Sequence, residues 1–126
     1  KAKSDAGYYN LSSPALTAVD LIHFQSKLGG INRILAILEE LSEAISQNDI
    51  KDLLSWYPHK STLQRLGFLL EELDIASKDN LLQPIYQYLK TQPIYPVLLS
   101  PEKNQKPGQT KNPWKIDVNI ELESDL

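Results

Sequence analysis

The sequence predicts an α+β domain, predominantly helical, with about five helices and a small antiparallel sheet that includes the C-terminal strand. Three observations predict it. Residues 31–46 place Ile34, Leu35, Leu38, Leu41 and Ile45 on one helical face and Glu39, Glu40 and Glu43 outside it. Residues 114–122 alternate, with Trp114, Ile116, Val118, Ile120 and Leu122 on one side and Lys115, Asp117, Asn119 and Glu121 on the other, the pattern of a half-buried strand. Between these two regions Pro93, Pro96, Pro101, Pro107 and Pro113 interrupt regular structure.

Taken in order, residues 1–12 read as an extended arm or edge strand, with Tyr8, Tyr9 and Leu11 as strand formers. Ser12-Ser13-Pro14 starts a helix, a hydroxyl cap followed by proline at the first helical position. That helix carries Leu16, Val19, Ile22 or His23, and Phe24, and it stops at Gly29-Gly30. The amphipathic helix of residues 31–46 follows. Asp49 is read as the cap of a short helix holding Leu53, Leu54 and Trp56, which ends before Pro58.

Ser61 and Gln64 have capping-box spacing for the next helix, whose buried stripe is Leu63, Leu66, Leu70 and Leu73. Gly67 inside it costs about 1 kcal/mol against alanine, and close approach of another helix or strand would offset that. Ser77 starts a further helix through Leu81, Ile85, Tyr86 and Leu89, with Pro84 near its first turns or kinking it. The body is thus residues 13–92, the Pro-rich loop 93–113, and the C-terminal strand 114–126. Partners for that strand are sought in residues 8–11, in 97–99, or in upstream residues.

A chain of 126 residues suffices for one domain with a real core. Its net charge of −3 argues against non-specific nucleic-acid binding by the whole surface, though not against a local basic patch. No cysteine means no disulfide framework and no thiolate metal site, which fits a reducing cytoplasm. No apolar run has the length of a membrane span. With Lys1 in place of an initiating Met, the chain reads as a piece of a longer protein.

Chemistry-bearing constellations are sparse. The two histidines, His23 and His59, have no metal-ligand spacing, and no HExxH, GxSxG or Gly-rich phosphate loop occurs. No cofactor, metal site or catalytic residue is therefore assigned. Two basic features stand out. His59, Lys60 and Arg65 follow Trp56 and Tyr57, a mixture suited to nucleic-acid or protein contact, or to packing rings beside solvated charges. The loop 102–115 sets Lys103, Lys106, Lys111 and Lys115 against Glu102, suited to phosphate contact or to a soluble linker.

Four segments carry a resemblance. They are residues 11–21, beginning Leu11-Ser12-Ser13-Pro14; the Gly29-Gly30-Ile31-Asn32 turn; Leu63-Gln64-Arg65-Leu66-Gly67-Phe68-Leu69-Leu70-Glu71; and Trp114-Lys115-Ile116-Asp117-Val118-Asn119 with Glu121, Asp125 and Leu126. In this order they resemble the C-terminal domain of AbiEi-family antitoxins, bacterial transcriptional regulators of abortive-infection toxin–antitoxin pairs. Two departures stand beside the likeness. Full-length members carry an N-terminal winged helix for which the residues before Pro14 are too few. The family's Ser-Pro-Glu here reads Ser13-Pro14-Ala15, which removes an acidic group from a first helical turn, worth about 0.3–1 kcal/mol.

The resemblance implies a non-enzymatic, cytoplasmic effector domain. It implies opposition to a cognate nucleotidyltransferase-like toxin, without a stable complex, and help to a winged helix that represses its own operon at operator DNA. The hypothesised contact residues are Lys60, Arg65, Lys115 and Asn119. For Arg65 the alternative is a bond to a neighbouring helix or strand, and for Asn119 a turn or strand edge. The other functional class is a protein-interaction module, a homodimer formed through the terminal strand. A small hydrolase or nuclease has no ligand set in its favour.

Overall fold

The computed structural model describes residues 13–73, 75, 78–101, 107–108, 110, 112–120 and 122. Residues 1–12, read above as an arm or edge strand, and Ser77, Lys103, Lys106, Lys111, Asp125 and Leu126 lie outside the described residues.

Five helices form the body: α1 (Pro14–His23), α2 (Ile31–Ser42), α3 (Gln47–Leu54), α4 (Lys60–Glu72) and α5 (Lys78–Lys90). A 3₁₀ turn, Gln25–Lys27, follows α1. Ser13 caps α1, its Oγ accepting from the Leu16 N–H at 3.1 Å, with Pro14 as the first helical residue. The exit turn uses Gly29 at φ 97° and Gly30 at φ 94°, a region closed to most side chains.

α2 ends at Ser42, four residues before the expected end. Ser46, not Asp49, caps α3, its Oγ accepting from the Asp49 N–H. The Asp49 carboxylate instead accepts from the Ala15 N–H at 2.8 Å, at the start of α1. The acidic group absent from position 15 is thus supplied from α3, where it meets the positive end of the helix dipole.

α4 is the central helix. Thr62, Leu63, Gln64, Leu66, Gly67, Phe68, Leu69 and Leu70 are all buried, so α4 is covered on nearly every side. It packs against α1, α2 and α5 and against the second strand. His59 holds the cap position, and Ser61 lies within the first turn rather than capping it. In α5, Pro84 stands in the helix interior. It has no N–H to offer the Asn80 carbonyl, and Gln47 Nε2 donates to that carbonyl at 3.2 Å.

The sheet corrects the sequence reading. Among the described residues it consists of β1 (Val97–Leu98) and β2 (Ile116–Asp117), and they run parallel, not antiparallel. Val97 N–H donates to Lys115 O and Leu99 N–H to Asp117 O. The reason is the connection. An antiparallel pair closes through a tight turn, whereas residues 99–115 are long enough for the crossover a parallel pair needs. The alternation at the C-terminus also ends early: Trp114 and Ile116 are buried, but Val118 is exposed because the chain leaves the ladder after Asp117.

Candidate functional site

The signature helix and the C-terminal segment form one site. On α4, Gln64, Arg65, Gly67 and Glu71 occupy little more than two turns. Each one engages the segment of residues 95–114. Gln64, itself buried, donates from Nε2 to two carbonyls, Tyr95 O and Trp114 O, both at 2.9 Å. Arg65 Nε donates to Leu98 O at 2.8 Å, on β1. Burial lowers the pKa of the Arg65 guanidinium from its ordinary value, yet arginine still carries its charge at neutral pH.

Gly67 and Glu71, one turn apart, receive Trp114. A Cβ at Gly67 would lie 2.5 Å from Trp114 Cε3 and Cζ3, so the indole fills the space a side chain would take. Trp114 Nε1 donates to Glu71 Oε1 at 2.8 Å, and Tyr86 of α5 meets the indole edge-on at 5.9 Å between centroids. The close approach expected at Gly67 is therefore made by an aromatic ring.

Asparagine side chains finish the segment. Asn112 Oδ1 accepts from Trp114 N–H and Ile116 N–H, and its Nδ2 donates to Ile116 O. Both backbone groups of Ile116 are thus held by one amide. Asn119 treats Ser100 the same way, with Oδ1 accepting from Ser100 N–H and Nδ2 donating to Ser100 O. These amides stand where a neighbouring strand would otherwise bond.

Of the four hypothesised contact residues, three turn to one stretch of backbone, residues 94–100. Arg65 bonds Leu98 O on β1, and Asn119 bonds the backbone of Ser100, just beyond that strand. Lys115 has φ 54°, in the left-handed region, and its Nζ donates to Ile94 O at 3.2 Å. Lys60 begins α4 and is half-buried. Gln64, Glu71 and Asn112 were missed in the sequence. The available signal was a glutamine on a helix face otherwise lined by leucines.

The other basic feature resolves into rings. His23 and His59 stack with centroids 4.6 Å apart, His23 Nδ1 lies 3.3 Å from Thr62 Oγ1, and Phe24 and Tyr57 meet the pair edge-on. Burial is the main cause that raises the Tyr57 pKa, with the Asp20 charge adding to it and a Thr62 hydrogen bond opposing it. Among the described residues no helix is long and apolar enough to cross a membrane, and no group of three or more His, Asp or Glu side chains could hold a metal ion.

Comparison with known proteins adds one finding. The family model of the AbiEi antitoxin C-terminal domain matches residues 2–72, more than half of the chain. No curated protein matches, and no solved structure matches. The match ends on Glu72, the last residue of α4, and so takes in the whole signature helix. On that match the chain belongs to the AbiEi antitoxin C-terminal domain family, the antitoxin side of a toxin–antitoxin pair.

Proposed function

We propose that this chain is the effector domain of an abortive-infection antitoxin, a non-enzymatic cytoplasmic protein of phage defence. In this reading it opposes a nucleotidyltransferase-like toxin and, joined to an N-terminal winged helix, assists repression of its own operon at operator DNA. The observation that carries the reading is the family match over residues 2–72, which ends with the helix bearing Gln64, Arg65, Gly67 and Glu71.

Of the contact residues, we keep Lys60 as a partner-facing cation. We assign Arg65, Lys115 and Asn119 a positioning role, because their side chains bond the backbone of residues 94–100. The interaction-module reading loses the terminal strand as its surface, since Trp114 and Ile116 are buried in the chain's own core.

The test is co-expression in bacteria of the full-length protein, and of this chain alone, with the neighbouring open reading frame, reading growth. Rescue by the chain alone, lost in Lys60→Ala at unchanged melting temperature, supports the reading. A toxic neighbour that neither form relieves contradicts it.

A further inference from the structure

A trough runs along one face of α5. Asp79, Gln83 and Tyr86 line a cavity of about 300 Å³ whose far wall includes Glu71 and Trp114. Tyr86, Leu89 and Lys90 line a second, of about 250 Å³, whose far wall includes Ile94 and Lys115. The two cavities share Tyr86 and Pro113, and so form one trough. Asp79, Gln83, Tyr86 and Lys90 fall at i, i+4, i+7 and i+11, on the exposed side of a single helix.

The trough carries opposite charge at its two ends. Glu71 and Asp79 supply two carboxylates at one end, and Lys90 and Lys115 two ammonium groups at the other. Asp79 and Lys90 stand where the α5 dipole favours them. Glu71 and Lys115 come from other elements, so the doubled charge at each end belongs to the trough and not to the helix alone. Both keep bonding capacity. Glu71 gives Oε1 to the Trp114 indole, which leaves Oε2 as an acceptor, and Lys115 gives Ile94 O one of its three N–H groups. Between the ends the walls are apolar, with Leu82, Tyr86, Pro113 and Ile94.

Length and charge order together select the occupant. From Asp79 to Lys90 is eleven residues (90 minus 79), about 16 Å along a helix axis. In an extended peptide the side chains at i, i+2 and i+4 share one face, and i and i+4 lie about 13 Å apart. A basic, an apolar and an acidic side chain at those positions meet the carboxylates, the apolar walls and the lysines in turn. We infer that the trough binds an extended segment of a partner protein with the pattern basic-x-apolar-x-acidic.

Titration of the isotope-labelled full chain with the peptide Arg-Ser-Leu-Ser-Asp, acetylated and amidated to remove its terminal charges, tests this by amide NMR shifts. The expected result is weak binding, about millimolar, with shifts confined to α5, Glu71, Trp114 and Lys115. The scrambled Ser-Arg-Leu-Asp-Ser, whose charges are too close together to reach both ends, binds about fivefold more weakly. Lys90→Glu, at an exposed position, weakens Arg-Ser-Leu-Ser-Asp by a similar factor and makes Arg-Ser-Leu-Ser-Lys the better ligand, an exchange that a damaged fold does not produce. No shifts at millimolar peptide, shifts outside the trough, or equal binding of the scrambled peptide would each overturn the inference. Equal binding of Arg-Ser-Leu-Ser-Ser or of Ser-Ser-Leu-Ser-Asp would also overturn it, making the trough a site for a single ion.

Discussion

The indole of Trp114 occupies the place where a side chain at Gly67 would be, with ring carbons 2.5 Å from a Cβ built there. Glycine in a helix interior is otherwise a loss, so its presence is explained by this contact. Around it, Gln64, Arg65 and Glu71 bond the same C-terminal segment. The family match stops at residue 72, yet the groups these residues serve lie at 95, 98 and 114. The segment after α5 is therefore the partner of the signature helix.

Gln64 is the polar centre of this arrangement. Gln64→Ala leaves the Tyr95 and Trp114 carbonyls without their donor. An unsatisfied buried group costs about 1–3 kcal/mol, so urea unfolding should show a loss of at least that size. Gln64→Glu should do worse, because a carboxylate faces two carbonyl oxygens.

Asp49 caps a helix that is not its own. Removing it in Asp49→Ala takes the acceptor from the Ala15 N–H and a negative charge from the start of α1. The expected loss is about 1 kcal/mol, read by thermal or urea unfolding. Restoring the family's acid with Ala15→Glu should not compensate. Position 15 is fully buried beside the Asp49 carboxylate, and a second carboxylate there destabilises the fold.

The helical body was legible in the sequence because its signals are local. Ser13-Pro14, the two glycines and the leucine spacing act within one or two turns, and each marks a helix that forms. The parallel direction of the sheet was not legible. Strand direction depends on the path of residues 99–115, and period-2 alternation is the same in either direction. Capping residues misled where a tertiary contact competes for the side chain: Asp49 reaches α1 and Gln64 reaches the C-terminal segment. Gly67 signalled a close approach but could not name Trp114, 47 positions away (114 minus 67).

Lys115 carries a left-handed backbone, φ 54°, between Trp114 and Ile116. A non-glycine residue pays about 1–2 kcal/mol there. Lys115→Gly should therefore stabilise the chain by up to about 1 kcal/mol, with the remainder taken back by the greater freedom of glycine in the unfolded chain and by loss of the exposed Nζ bond to Ile94 O. A higher midpoint in urea at unchanged slope is the expected observation.

Tyr57 links stability to alkaline pH. Its folded pKa is raised above the ordinary value of 10.0, chiefly by burial, so the folded state favours the neutral phenol. The resulting stability is fully present below the unfolded pKa and is lost as pH rises through the folded one. Unfolding midpoints should fall from about pH 10 upward. Tyr57→Phe, with nothing to ionise at that position, should fall less steeply.

The most direct test is a double-mutant cycle at Gly67 and Trp114, read as unfolding free energy. In the natural sequence Gly67→Ala drives a methyl group into the indole and should destabilise by about 1–3 kcal/mol. In a Trp114→Ala background the ring is absent, and the same Gly67→Ala should stabilise by up to about 1 kcal/mol, the ordinary helix preference for alanine. A reversal of sign is the predicted result. Equal effects in both backgrounds would contradict the account, because Gly67 would then be present for some reason other than seating Trp114.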